Sequence, residues 1–193
     1  MAKLYFKYGA MNSGKSTSLL QVAYNYEERD QKVLLIKSSI DTKGKDTLVS
    51  RIGISRKVDK MLLPEEDVID YYKEQNNISC ILVDEAQFLN PKQVEQLWII
   101  SKFYNTPVMC YGLRSDFQTN GFPGSIRLME LADELDELVT ICRCGKTARF
   151  NARIVDGKFV CDGEQVAIDD NKNVSYESLC GECYLKKVKL EFK

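Results

Sequence analysis

Gly9-Ala10-Met11-Asn12-Ser13-Gly14-Lys15-Ser16 has the composition and spacing of a loop that holds phosphate. Its glycines let successive backbone N–H groups curl around phosphate oxygens, and a helix opening at its end adds partial positive charge. Lys15 is expected to reach the outer phosphates, with Thr17 close by, and the Ser16 hydroxyl to ligate magnesium. Such a loop needs a second magnesium handle at the end of a nearby strand. Cys80-Ile81-Leu82-Val83-Asp84-Glu85 supplies it as an apolar run ending in two carboxylates. Asp84 would hold magnesium through water, leaving Glu85 to orient or deprotonate a nucleophile. Together the two patterns imply binding of a magnesium–nucleoside triphosphate and transfer of its terminal phosphate. The plainer alternative, a glycine turn before a helix and a polar strand end, requires both coincidences at once.

A second set of residues points to a metal. Cys142-Arg143-Cys144 and Cys180-Gly181-Glu182-Cys183 are paired thiols in a polar segment with little core of its own. Four thiolates hold zinc tetrahedrally, and a metal staple stabilises such a segment. Four protein ligands leave no open position, so the zinc would be structural. Cys161 is an alternative ligand, because Cys-x-Cys is tight spacing for two bonds to one ion. Histidine is absent and cysteines number seven. Any zinc site must therefore use Cys or carboxylate, and the base must come from Asp, Glu, Lys or Tyr. The odd cysteine count argues against a disulfide framework.

The elements that must position these groups alternate in type. Residues 3–8, 33–36, 80–83 and 108–111 read as strands, and 15–29 and 91–104 as helices, the second capped by Asn90 with Pro91 at its first position. Ser125 can cap a helix to about 132, and 138–141 can be a strand. This pattern predicts an α/β fold: a parallel sheet flanked by helices, followed by a small cysteine-bearing segment. The character changes near residue 142, giving domains at 1–141 and 142–193. The polar 41–47 segment reads as a loop, and the basic 186–193 run as a solvated tail.

Lys plus Arg number 27 against 28 Asp plus Glu, a net charge of −1. A near-neutral chain makes no electrostatic bid for nucleic acid or anionic membrane. The N-terminus lacks a signal-like apolar run, and no stretch is long and apolar enough to span a bilayer, so a cytoplasmic protein with a small-molecule partner is expected.

Further motifs narrow the acceptor. Gly9 to Thr17 is followed by Ile36-Lys37, Asp41-Thr42-Lys43, Ser50-Arg51-Ile52-Gly53 and Asp84-Glu85-Ala86-Gln87-Phe88. Then come Gly112-Leu113-Arg114-Ser115-Asp116-Phe117, Phe122-Pro123-Gly124 and the tail Tyr176-Glu177-Ser178-Leu179-Cys180-Gly181-Glu182-Cys183-Tyr184. In order, and over nearly the whole chain, these resemble the type II thymidine kinases, P-loop kinases with a zinc-ribbon lid. Asp84-Glu85-Ala86-Gln87 alone also looks like a helicase box, but such helicases need two tandem domains and a basic groove.

The resemblance implies transfer of the γ-phosphate of ATP, with magnesium, to the 5′-hydroxyl of thymidine or deoxyuridine, with Glu85 as general base. It places Asp41 and a basic residue near the phosphates: Lys43, where many relatives carry Arg, or Arg51. It sets the thymine among Met11, Phe88, Leu113, Phe117 and Phe122, with Tyr176 near the substrate. Each of these has a packing alternative; Phe122, in the loop Asn120-Gly121-Phe122-Pro123-Gly124, has the least reason to be core. A lid loop over about 162–179 would fold on the nucleoside and read the base through backbone groups. Many relatives carry Ile-Gly-Gly where Ile168-Asp169-Asp170 stands, which leaves the loop register and the contacts of Val166 and Ile168 open. A homotetramer and feedback inhibition by dTTP are implied by the family alone. Two other readings stay open: a kinase of a different nucleoside, and a regulatory ATPase that binds nucleic acid or protein through its zinc ribbon.

Overall fold

The computed structural model describes residues 1–40, 46–165 and 173–188. The chain begins β1 (Leu4–Tyr8), α1 (Lys15–Glu27) and β2 (Lys32–Ser38). Three short strands follow, β3 (Thr47–Val49), β4 (Ser55–Lys57) and β5 (Lys60–Leu62), then α2 (Val68–Lys73) and β6 (Ile78–Asp84). A 3-10 turn at Ala86–Phe88 leads to α3 (Pro91–Phe103), β7 (Val108–Gly112), α4 (Pro123–Leu131) and β8 (Glu134–Glu137). Four of these strands join β5 and β8 in one sheet, ordered β5-β2-β6-β7-β1-β8, with every pairing parallel.

Alternation along the strands explains the layers. Leu34, Ile36, Ile81 and Val83 pack against Val94, Leu97 and Ile100 of α3 and Leu128 of α4. Val33, Leu35 and Leu82 face the other way, against Leu19, Leu20 and Ala23 of α1. Both faces are covered, which is why β2 and β6 read as unbroken apolar runs. The carboxyl ends of the parallel strands lie together, where an open α/β sheet binds ligands.

The structure moves several boundaries. The sixth sheet strand is Glu134–Glu137 and not 138–141. As an edge strand it needs one buried neighbour only, and its carboxylates pair with lysines just before and within β1: Lys3–Glu134 at 2.6 Å and Lys7–Asp136 at 2.5 Å. Helix α4 starts at Pro123 with Phe122 as N-cap, and the Ser125 hydroxyl donates to the Leu113 carbonyl at 2.5 Å instead of capping.

After the sheet come β9 (Thr140–Ile141), β10 (Thr147–Ala148), β11 (Phe150–Val155), β12 (Lys158–Val160), β13 (Val174–Leu179) and α5 (Gly181–Val188). β9 and β10 form a hairpin, and β12-β11-β13 an antiparallel sheet. The expected tail at 186–193 is in part helical: α5 runs to Val188, which is buried with Tyr184 beside Cys142, Leu179 and Cys180. Of the polar 41–47 segment, 41–45 lie outside the described residues, as do Val166 and Ile168.

Candidate active site

The phosphate loop joins β1 to α1. Gly14 is the N-cap of α1 at φ 78°, a left-handed conformation that glycine adopts without cost. A Cβ on Gly9 would come within 2.3 Å of the Leu138 carbonyl oxygen, so no other residue fits there. The Lys15 ammonium donates to the Ala10 carbonyl at 2.9 Å and the Gly9 carbonyl at 3.2 Å. Burial holds its pKa below the usual lysine value; Glu85 and Asp84 counteract this, and the Arg51 charge adds to it. Two carboxylates and a second cation thus lie in the field of Lys15.

β6 delivers the acidic side. Asp84, 3% exposed, ends the strand. Glu85 follows at φ 50°, ψ 41°, a left-handed conformation that a non-glycine residue holds only where its surroundings dictate it. The Gln87 side chain fixes its carboxylate: Nε2 donates to Glu85 Oε2 at 2.6 Å, and Oε1 accepts the Leu113 N–H at 3.0 Å. Gln87 thus ties the candidate base to the end of β7, an orienting role that the motif containing it does not announce.

These groups share one cleft of about 580 Å³, lined by loop residues 11–17, Asp84, Glu85, Leu113 and the β3–β4 hairpin. Arg51, in the turn of that hairpin, lines it too, whereas Asp41 and Lys43 lie outside the described residues. Lys37 was missed as a site residue. It is 2% exposed, lines the cleft, and is the register partner of Asp84 across β2 and β6. A buried lysine at a strand's carboxyl end is the signal that could have found it. Ser16 and Asp84 both line the cleft, and their oxygens are donors that suit a hard cation.

The residues expected around a base fall into two groups. Phe88 and Phe122 meet edge to face, centroids 5.7 Å apart, close to Leu113 through Gln87 and Ser125. Phe122 is 4% exposed, contrary to the expectation from its loop, because Pro123 starts α4 and turns the N-cap residue inward. Phe117 and Tyr176 meet through Arg153, whose guanidinium lies 3.6 Å from the Phe117 centroid and donates to Tyr176 Oη at 3.0 Å. Arg153 also donates to the Glu164 and Gln165 carbonyls at 2.8 and 3.1 Å, so it pins the start of the expected lid loop. Met11 lines the cleft, and its backbone is held by Asn151 and Ser178. Sequence reasoning missed Arg153, Asn151 and Ser178, since their partners lie far away in the chain.

The Sγ atoms of Cys142, Cys144, Cys180 and Cys183 lie within 4.8 Å of one another, with Cys144 and Cys180 at 3.6 Å. Tetrahedral Zn–S bonds of about 2.3 Å place sulfurs about 3.8 Å apart, so the cluster fits a metal of that kind. Backbone N–H groups of Cys144 and Cys180 pull the Cys142 thiol down to about 6, toward the thiolate a metal binds. Cys161 is not in the cluster; its Sγ lies 3.7 Å from Asp162 Oδ2. Tyr184 of α5 links this segment to the loop after β7 by donating to the Phe117 carbonyl.

Among the described residues no helix is long and apolar enough to cross a membrane. Comparison with known proteins agrees with the site. The family model for thymidine kinase matches residues 2–184. The chain is similar to the thymidine kinase of Shewanella oneidensis, 49% identical with 93% of this chain and 95% of that protein covered. It is likewise similar to that of Pasteurella multocida, at 47% over 98% and 100%, and to that of Enterobacteria phage T4, at 47% over 93% and 94%. A solved structure of Bacteroides Pif1 bound to ssDNA overlaps at TM-score 0.39 and 14% identity, over 74% of this chain and 39% of that one, too little to bear on function. The chain belongs to the thymidine kinase family, nucleoside kinases that act as phosphotransferases.

Proposed function

We propose that this protein transfers the γ-phosphate of ATP to the 5′-hydroxyl of thymidine, and of deoxyuridine, giving the monophosphate and ADP. The observation that carries this reading is one cleft lined by the phosphate loop with Lys15 and by Asp84 and Glu85, in a chain of this family. Glu85 accepts the proton of the 5′-hydroxyl, that oxygen forms the new bond to the γ-phosphorus, and the bond to the β,γ-bridging oxygen breaks. Lys15 and Arg51 face the charge that develops on the phosphoryl oxygens, and the backbone N–H groups of the first turn of α1, at residues 15–17, take the phosphates. Ser16 and Asp84 hold magnesium, which when bound neutralises phosphate charge. Gln87 keeps the Glu85 carboxylate aimed, so little reorganisation is needed at the moment of reaction.

Met11, Phe88, Leu113, Phe117, Phe122 and Tyr176 form the base side in this reading, and Asp41 and Lys43 serve the phosphates. Cys142, Cys144, Cys180 and Cys183 bind structural zinc, and the chain divides at about 141/142 into a kinase domain and a zinc-ribbon lid. A cytoplasmic homotetramer inhibited by dTTP completes the proposal, on the family alone. The test is a phosphoryl-transfer assay with ATP–Mg²⁺ and thymidine, with deoxycytidine, deoxyadenosine and deoxyguanosine alongside. Thymidine monophosphate as the dominant product is expected. Preference for another nucleoside would keep the phosphate chemistry and overturn the base side.

A further inference from the structure

Met11 lies in the phosphate loop, yet its backbone is held by the far end of the chain. Its N–H donates to Asn151 Oδ1 at 2.8 Å, and its carbonyl accepts from Ser178 Oγ at 2.5 Å. Asn151 lies on β11 and Ser178 on β13, and the two are direct register partners across that antiparallel ladder. Opposed residues project from the same sheet face, so the pair grips one residue from two adjacent points. Both are buried, at 4% and 8% exposed, where an unmade hydrogen bond is costly. Asn151 Nδ2 also reaches the Ser115 carbonyl at 3.5 Å. β13 runs directly into Cys180, so the grip stands next to the thiol cluster.

Fixing both the N–H and the C=O of one residue sets the peptide planes on either side of it. The next residue, Asn12, has φ 66°, a left-handed conformation that persists only where neighbours determine it. From there the chain runs through Gly14 into the first turn of α1, whose backbone N–H groups are the ones a phosphate would meet.

We propose that Asn151 and Ser178 are positioning residues for the phosphate loop, so that the cysteine-bearing sheet is part of the ATP site as well as a cover for the nucleoside. The proposal rests on the nucleotide reading of residues 9–17 and not on which nucleoside is phosphorylated. Neither residue need touch ATP; the pair acts through the Met11 peptide groups.

The experiment is calorimetric titration of ATP–Mg²⁺ into full-length, zinc-loaded protein. Wild type is compared with Asn151→Ala, Ser178→Ala and the isosteric pair Ser178→Thr and Ser178→Val, with zinc content and melting temperature measured on each. Loss of either grip is expected to weaken ATP binding roughly tenfold, and Ser178→Thr to stay within about twofold of wild type while Ser178→Val does not. A purely structural role would lower the melting temperature without separating Thr from Val in ATP affinity. Equal ATP binding by Thr and Val, or affinities within about twofold of wild type throughout, overturns the proposal. If an alanine variant loses its zinc, the Thr–Val comparison decides alone. Wild-type protein that fails to bind ATP–Mg²⁺ overturns the nucleotide reading itself, an outcome distinct from variants that bind as well as a competent wild type.

Discussion

On the six-stranded sheet, Leu34, Ile36, Ile81 and Val83 face one helical layer while Val33, Leu35 and Leu82 face the other. In the segment beyond it, the buried apolar set is Cys142, Ala148, Ala152, Leu179, Cys180, Tyr184 and Val188. The first region excludes water from two continuous faces of large aliphatic side chains. The second contains two alanines and two thiols that are themselves candidate metal ligands. Burial at about 25 cal/mol per Å² can carry the first region but leaves the second short of the conformational entropy that ordering demands. The two regions therefore respond to different insults, although hydrogen bonds tie them together, among them those joining Met11 to Asn151 and Ser178 and the one from Tyr184 to the Phe117 carbonyl.

Metal removal should break this comparison most sharply. Structural zinc in small domains contributes binding free energy of about 10–16 kcal/mol at neutral pH, most of it realised as folding. A chelator should release about one zinc per chain, the number one closed four-ligand site holds. Hydrogen exchange should then show residues 142–188 losing protection while β2, β6 and β7 keep theirs. Unchanged protection in 142–188 after verified metal loss would mean that apolar packing alone suffices there.

Glu85→Gln probes the other region at one atom. The amide keeps the side-chain shape and can still accept from Gln87 Nε2, but it cannot take a proton. Turnover should fall by about 10²–10⁴-fold, the usual contribution of a general base. ATP–Mg²⁺ affinity and melting temperature should hardly move, because the sheet packing is untouched. Near-normal turnover would remove Glu85 from the role of base.

Truncating one leucine in each region sharpens the contrast further. Leu35→Ala opens a cavity between β2 and α1 and should cost about 2–5 kcal/mol of global stability in denaturant titration. Leu179→Ala should cost less while the metal is bound and should appear as local opening in hydrogen exchange. Equal global costs would show that the two regions unfold as one cooperative unit.

Legibility in the sequence follows the same division. Strands buried on both faces write themselves as runs, so β2, β6 and β7 can be read directly. Three of the four residues of the edge strand β8 are carboxylates, with Glu134 and Asp136 paired to Lys3 and Lys7, and no apolar run marks it. Helix α2 and strands β3 to β5 are too short to show a period. In the site, the phosphate loop and Asp84-Glu85 are contiguous patterns whose chemistry is local. Arg153, Asn151 and Ser178 act on partners up to 167 positions away, and no local spacing encodes such a contact. Phe122 misleads for a related reason: its glycine-rich neighbourhood looks like an open loop, but Pro123 makes it the first cap of a helix.

The smallest effect tests whether damage stays in its own region. Asn90 caps α3: its Oδ1 accepts the Gln93 N–H at 2.9 Å, and the Gln93 side chain accepts the Asn90 N–H at 3.2 Å. Asn90 Nδ2 also donates to the Pro64 carbonyl at 2.8 Å, and Gln93 Nε2 to the Leu63 carbonyl at 2.8 Å, so the cap fastens the 63–64 segment to the helix. Asn90→Ala should therefore cost about 1 kcal/mol, up to about 2 with the Pro64 bond lost as well. The loss should register in global unfolding, since α3 covers one face of the main sheet. Exchange of 142–188 should not change, because none of these bonds touches the cysteine-bearing segment. Faster exchange there would mean that the ties through Met11 and Phe117 transmit sheet stability across the molecule, and the two regions would then have to be treated as one.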